Sequence, residues 1–281
     1  MLGLKVYFHL YKKFMVNFLH RLLSVSALGS SFRWKVVIVV LYLYLSARRV
    51  CGYTPQFTRL KKIRLSFADQ AFDFYIDRQL DFDVLRDTFV LEEYAITSTE
   101  NVNVIFDIGS NIGTTVIYFA LTHPTAKIFA FEADPDTSKR FKINTAVFSD
   151  RIVFIEKAVY SKDNTFVEFH SSPTIHWSSS IVERPGTISL SIPTITLDRV
   201  IEDFAIEHVD LIKFDIEGGE YDAFVHFTHF NKVNMLVGEI HPEVLPVSVD
   251  EFLRLFRDFK VVKRVDNDNI VVTLKHTDTT Q

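Results

Sequence analysis

From Asn101 onward the sequence alternates short apolar runs with helical patterns, and no other feature constrains the fold as tightly. Val104–Asp107 is an apolar run that ends in an acid. Asn111–Leu121 follows as a helix that is apolar nearly all round, which predicts burial. Lys127–Phe131 reads as a second strand. Asp134–Pro135 supplies a capping acceptor and then a proline at the first helical position, opening a helix that runs to about Asn144. Ile152–Glu156 reads as a third strand, and the Ser-, Thr- and Pro-rich residues 160–195 as short strands and loops. Thr196–Ile206, Gly218–Phe230 and Val249–Phe259 read as helices, with Leu211–Asp215 and Met235–Glu239 as the strands between them. Val261–Val265 and Ile270–Leu274 make a terminal hairpin. The pattern predicts an α/β fold: a doubly wound, mostly parallel sheet in the order 3-2-1-4-5 with right-handed crossovers, plus a C-terminal antiparallel hairpin. Upstream, Ile63–Phe67 and Phe72–Ile76 read as two strands about the turn at Asp69–Gln70, and Asp81–Tyr94 as a helix with Phe82, Leu85 and Phe89 on one face.

In open sheets of this kind ligands sit beyond the carboxyl ends of the strands, where strand order reverses. The first strand ends Phe106-Asp107-Ile108-Gly109-Ser110-Asn111-Ile112-Gly113, and Gly109 and Gly113 allow a tight turn and close approach to a ligand. The second ends Phe131-Glu132-Ala133-Asp134-Pro135. Glu132, 25 residues beyond Asp107, is placed to accept hydrogen bonds from both hydroxyls of a ribose. A glycine turn with a strand-end acid at this spacing points to a nucleoside cofactor. Asn111 stands where a dinucleotide site needs its middle glycine, and Asp107 would turn a negative charge toward phosphates. S-adenosylmethionine carries a sulfonium and an ammonium instead, which an acidic pocket attracts. Two further strand ends add acids. Leu211–Asp215 runs into Glu217-Gly218-Gly219-Glu220, and Met235–Glu239 into Ile240-His241-Pro242. With strand order 3-2-1-4-5, Asp215, Glu217, Glu239 and His241 converge on the reacting end of the cofactor.

The four segments VIFDIGSNIG, FEADP, VDLIKFDIEGGE and GEIHPE closely resemble the FkbM-type S-adenosylmethionine-dependent methyltransferases. The resemblance covers roughly residues 60–275 and includes TITLDRV; the VDLIKFDIEGGE segment is its most specific part, and Gly219 stands where alanine is common. It implies a Rossmann-like methyltransferase sheet and methyl transfer from S-adenosylmethionine to an oxygen, generally a hydroxyl of a sugar-containing or polyketide-like acceptor. It also implies cofactor contacts: Asp107, Gly109 and Asn111 at the methionine end with Gly113 completing the turn, Glu132 at the ribose, and Ala133 and Ala158 about the adenine. A hydroxyl is a poor nucleophile near neutral pH, so a base is useful. His241 is the first candidate, because an unperturbed imidazole titrates near pH ~6.5; Asp215 and Glu239 are the others. No metal is expected, although Asp215, Glu217 or Glu239 would hold a divalent ion if one lowered the acceptor's pKa. Glu220 reads as a favourable charge at a helix N-terminus. Residues 171–180 (SSPTIHWSSS), with His176 and Trp177, read either as an acceptor loop or as surface decoration. A dehydrogenase of the same sheet type and a methyltransferase-like scaffold without catalysis are the rival readings.

The head differs in composition. Residues 1–68 hold twelve Lys or Arg and no acid, leaving 19 basic and 35 acidic residues in the remainder, so the total of −4 conceals a basic head on an acidic body. Val36–Ala47 is an apolar run of twelve residues between Arg33, Lys35, Arg48 and Arg49. As a helix it would rise ~18 Å, short of a bilayer core of about 30 Å. Three readings of residues 1–52 follow: a segment lying on an anionic membrane surface, a helical layer packed on the body's own core, and a cleaved targeting sequence. Nothing in it resembles a nucleic-acid-reading motif. The expected organisation is an extension over 1–52, a methyltransferase domain over 53–275 hinged at Gly52–Pro55, and a frayed tail over 276–281. The expected location is cytoplasmic, peripheral on a membrane through the extension, with organelle targeting open. A composition of 48% hydrophobic and 23% charged residues excludes wholesale disorder, and the single cysteine, Cys51, excludes a disulfide framework and a cysteine zinc site.

Overall fold

The computed structural model describes residues 2–96, 101–171, 181, 187–266 and 269–277, with side chains from Met15 onward apart from that of Asp266. The chain divides into two compact units, residues 1–93 and 94–281.

The first unit is a helical layer on a hairpin. Helices α1 (Leu2–Ala27) and α2 (Phe32–Val50) precede strands β1 (Gln56–Phe67) and β2 (Gln70–Arg78) and helix α3 (Leu80–Phe89). The strands pair antiparallel around Ala68 and Asp69, both at positive φ. Ile38, Tyr42 and Leu45 recur at helical spacing and form the buried stripe of α2, with the Tyr42 ring 5.7 Å from Phe18 and 5.4 Å from Phe82. The apolar run of the head therefore buries one face within its own unit, while Val36, Val40 and Leu43 remain exposed. No helix among the described residues is long and apolar enough to cross a membrane. Gly52–Pro55 forms the turn between α2 and β1, inside this unit. Helix α3 stops at Phe89, short of the expected Tyr94, because the Arg86 carbonyl accepts the N–H groups of both Val90 and Leu91 and closes the last turn.

The second unit carries a seven-stranded Rossmann-like sheet. Its strands are β3 (Val104–Ile108), β4 (Lys127–Phe131), β5 (Ile152–Ile155), β9 (Val209–Phe214), β10 (Val233–Ile240), β11 (Phe259–Asp266) and β12 (Ile270–His276), in the order β11-β12-β10-β9-β3-β4-β5. The first five pair in parallel, and β12 joins β10 and β11 antiparallel, so the expected order and terminal hairpin are both present. Between β5 and β9 lie β6 (Ala158–Val159), β7 (Phe166–Ser171) and β8 (Ile188–Ile195), a small sheet of their own. Helix α4 (Thr114–Thr122) is buried at nearly every position, as its composition predicts, and starts three residues later than expected, at the N-cap Gly113. Helix α5 (Pro135–Thr145) is capped by Asp134, whose side chain accepts the N–H groups of Asp136 and Thr137. Helix α6 spans Leu197–Asp203 and α8 spans Val249–Leu253.

Two expectations fail here for identifiable reasons. The helix expected over Gly218–Phe230 is the single turn α7 (Glu220–Phe224). Asp198 accepts the backbone N–H of Thr228, drawing the chain out of helical register, and Phe227 and Phe230 then pack edge to face at 4.7 Å. The tail expected to fray at His276 does not do so there, since His276 pairs with Phe259 and the Thr277 N–H donates to Asp258 O. Residues 278–281 lie outside the described residues, as do 172–180 with His176 and Trp177.

Candidate active site

The turn after β3 is shaped by backbone geometry. Gly109 has φ +79°, and a Cβ there would stand 1.8 Å from the Asp215 carbonyl oxygen, so this position admits only glycine. The Gly109 and Ser110 N–H groups both donate to Phe131 O, fastening the turn to the end of β4. Asn111 also has positive φ, a conformation asparagine tolerates. Its N–H donates to Glu132 Oε2 at 2.9 Å, and the Asp134 N–H donates to Oε1 at 2.7 Å. A carboxylate offers about four acceptor positions, so two remain for ligand hydroxyls. Burial pushes the Glu132 carboxyl up to about 7 despite these two hydrogen bonds.

Glu132 lines a pocket of about 700 Å³, its open mouth included, together with Gly109, Asn111, Ala133, Ala158 and Phe169. Asp215 and Glu217 line the same pocket. Apolar walls, a strand-end acceptor and the carboxylates of Asp215 and Glu217 suit a nucleoside that carries a cation at its far end, with Lys157 the one cationic side chain among the described lining residues. The residues present thus fit S-adenosylmethionine.

Two of the expected cofactor residues lie elsewhere. Gly113 faces α5, where a Cβ would come within 2.6 Å of Thr145 Cγ2, so its lack of a side chain serves helix packing. Asp107 is fully buried beneath the turn. Its carboxylate lies 3.4 Å from Lys213 Nζ and accepts the Thr115 hydroxyl, which corrects the expectation that it turns its charge toward the ligand. Lys213, itself buried, also donates to Gly109 O at 2.8 Å and stands 5.2 Å from the centre of the Tyr94 ring. Burial raises the Asp107 carboxyl even with this cation beside it. A lysine between Leu211, Ile212 and Phe214 in an otherwise buried stretch of the strand was the sequence signal for this pair.

Beyond β9 and β10 the expected convergence is present. Asp215, Glu239 and His241 each present a ligating atom within 4.8 Å of the others. His241 is buried, and its Nδ1–H donates to Glu220 Oε1 at 2.8 Å, since a carboxylate only accepts. Its Nε2 has no hydrogen-bond partner and faces Glu217 Oε2 at 3.6 Å and Asp215 Oδ1 at 3.9 Å. Burial alone would depress this imidazole, but the hydrogen bond to Glu220 and the charges of Asp215 and Glu217 push it up to about 10. The expectation of a ring titrating near its ordinary value therefore does not hold. Burial and the charge of Asp215 push Glu239 up to about 7. Glu220 opens α7, as expected of an acid at a helix N-terminus, where it accepts the Gly218 N–H; it is also fully buried, which the sequence did not indicate. Tyr94, whose hydroxyl donates to Asp215 Oδ2 at 2.9 Å, and Asn269, whose amide donates to Glu239 Oε1 at 2.6 Å, complete the surroundings. These partners come from distant points of the chain, and periodicity gives no sign of them.

Residues 107–261, more than half of the chain, match the family described as the methyltransferase FkbM domain. The chain belongs to the FkbM methyltransferase family. The matched span runs from Asp107 to the beginning of β11 and holds the C-terminal ends of β3, β4, β9 and β10 with the residues that follow them. Among FkbM-type relatives, the hexuronic acid methyltransferase AglP of Haloferax volcanii is 30% identical over 172 residues, 61% of this chain and 66% of that protein. The 2-O-methyltransferase NoeI of Sinorhizobium fredii is 32% identical over 136 residues, 43% of this chain and 55% of that one. The matches thus span just under two thirds and just over half of these relatives. A solved structure, TrmK of M. capricolum in complex with the natural cofactor product S-adenosyl-homocysteine, aligns with a TM-score of 0.42 at 12% identity, covering 70% of this chain and 71% of that one.

Proposed function

We propose that this chain is an S-adenosylmethionine-dependent O-methyltransferase acting on a hydroxyl of a sugar-containing acceptor. One observation carries the reading: Asp215 and Glu217 line the same pocket as Glu132, Ala133 and Ala158, and both also face His241 Nε2. The nucleoside pocket and the imidazole–carboxylate cluster therefore share a wall. When bound, S-adenosylmethionine supplies an electrophilic methyl carbon on a sulfonium. In this reading Glu132 holds the ribose, Ala133, Ala158 and Phe169 border the base, and Gly109 and Asn111 shape the turn beside the methionine portion. Asp215 and Glu217 attract the sulfonium end. An acceptor hydroxyl placed against the cluster would give up its proton to one of the cluster's carboxylates, while the methyl group moves from sulfur to the hydroxyl oxygen and S-adenosylhomocysteine is left as the neutral thioether. Alignment of the two reactants is the larger share of catalysis, worth about 7–11 kcal/mol in well-oriented systems. The names of the two curated relatives, one for a hexuronic acid and one for a 2-O position, support a sugar acceptor.

The test is transfer of labelled methyl from S-adenosylmethionine by the full chain to a panel of hexuronic acid and neutral glycosides. Label retained as an alkali-stable O-methyl ether, and lost in Asp215→Asn, is the expected result. An intact protein that binds the cofactor and labels no hydroxyl acceptor contradicts the reading and favours a scaffold.

For the first unit we propose contact with an anionic membrane surface. Val16, Leu19, Leu23, Val36, Val40 and Leu43 are exposed apolar residues in a segment that has no acid before Asp69. Co-sedimentation with phosphatidylserine vesicles, reversed by high salt, is expected; equal binding to neutral vesicles, or none, contradicts it.

A further inference from the structure

The cluster beyond β9 and β10 has a property that methyl transfer alone does not require. Three side chains converge, and each is held at one atom by a second residue, while Asp215 Oδ1 and His241 Nε2 face one another without a hydrogen bond. Tyr94 holds Asp215 at Oδ2, and Oδ1 has no hydrogen-bond partner. Asn269 holds Glu239 at Oε1. Glu220 holds His241 at Nδ1, and Nε2, inside a ring that is 1% exposed, has no hydrogen-bond partner. An imidazole nitrogen buried without a hydrogen-bond partner, turned toward carboxylate oxygens 3.6 and 3.9 Å away, is an arrangement that a metal cation would satisfy by taking the place of the ring's proton.

We propose that Asp215, Glu239 and His241 hold a divalent cation through Asp215 Oδ1, Glu239 Oε2 and His241 Nε2. Around an ion held at about 2.1 Å, ligand atoms stand roughly 3 to 4.2 Å apart. The three groups already lie within 4.8 Å of one another, so side-chain adjustment without backbone movement would complete the coordination. A ligating histidine almost always donates its other N–H to a carboxylate or carbonyl, and Glu220 supplies that acceptor here. Two carboxylates and one imidazole favour Mn²⁺ over the harder Mg²⁺ and Ca²⁺. A six-coordinate ion keeps three further positions, enough for two neighbouring oxygens of a sugar diol. Such an ion would fix the acceptor and lower the pKa of the hydroxyl to be methylated. That role rests on the function proposed above; the binding does not.

The experiment is Mn²⁺ titration of the chelator-stripped full chain, followed by electron paramagnetic resonance of unbound Mn²⁺. Binding of S-adenosylhomocysteine is measured by calorimetry on the same preparation. One Mn²⁺ per chain is expected, with weaker Mg²⁺ competition. Affinity should fall more than tenfold in Glu239→Gln and in His241→Gln, and ~10-fold or more in Glu220→Gln, which touches no ion directly. Asn269→Ala, a loop change that only frees Glu239, should weaken Mn²⁺ several-fold and guards against misfolding of the other variants. Folded wild type that binds S-adenosylhomocysteine but no Mn²⁺ at millimolar concentration overturns the cation site and leaves the methyltransferase reading standing. Mn²⁺ bound with unchanged affinity in Glu239→Gln and His241→Gln overturns the ligand assignment. Mn²⁺ binding without S-adenosylhomocysteine binding supports the site and removes the function proposed for it.

Discussion

The two sides of the pocket are built by opposite means. On the β3–β4 side the charges are met from within: Glu132 accepts two backbone N–H groups, and Asp107, whose Oδ2 accepts the Thr115 hydroxyl and whose Oδ1 has no hydrogen bond, is ion-paired with the buried Lys213 ammonium at 3.4 Å. On the β9–β10 side Asp215 and His241 are each anchored at one atom and left without a partner at another. A charge matched by an opposite charge inside the chain contributes to folding, and a group held half-open without one is positioned for something the chain itself does not supply. Substitutions on the first side should therefore appear in stability, and on the second in activity with little change in stability.

The largest effect should come from Lys213→Met. It strips the buried Asp107 carboxylate of its cation, and breaking such a pair destabilises by about 3–5 kcal/mol. Urea denaturation measures it, and a loss under 1 kcal/mol would erase the contrast between the two sides. Gly109→Ala comes next. The positive φ and the 1.8 Å approach to Asp215 O force the turn away from β9, at about 2–4 kcal/mol in the same assay. Because Asp215 sits on the other side of that contact, loss of transfer should accompany the loss of stability.

On the open side the expectation reverses. Asp215→Asn keeps an acceptor for the Tyr94 hydroxyl, and Glu239→Gln keeps one for Asn269. Each should shift stability by less than about 1 kcal/mol while lowering methyl transfer ~100-fold or more. Loss of both properties together would mean that these acids are structural.

The smallest effect is a pH dependence. The Glu132 carboxyl stands at about 7 in the folded chain against 4.5 in its ordinary state. A raised carboxyl means that the folded chain binds more protons than the unfolded one. Its contribution to stability is complete below pH 4.5 and is lost as pH rises to about 7. Ligand binding runs the other way, since ribose hydroxyls donate to the ionised form. Affinity for S-adenosylhomocysteine should rise roughly tenfold between pH 6 and pH 8, with proton release detectable in buffers of different ionisation enthalpy. Glu132→Gln should flatten the profile.

Much of the second unit is legible in the sequence because strand ends and helix starts are local signals. The run Val104–Asp107, the acid at Glu132 and the capping Asp134 name their own elements, and the sheet order follows from alternation and handedness. What failed depended on partners far away in the chain. The Phe224, Phe227 and Phe230 spacing suits a helix, but Asp198 takes the Thr228 N–H and ends it. The acids Asp215 and Glu239 announce a site, yet Tyr94, Glu220 and Asn269, which orient it, are named only by the fold. Asp107 is the instructive case. Its position at a strand end suggests a ligand contact, and only the burial of Lys213 beside it shows that its charge is already matched.

The most direct test is calorimetric titration of the full chain with S-adenosylhomocysteine, with NAD as the control ligand and Glu132→Ala as the site variant. Micromolar binding of S-adenosylhomocysteine alone, abolished by the substitution, is the predicted result. Binding of NAD in its place, or binding that survives in Glu132→Ala, would contradict the assignment of this pocket.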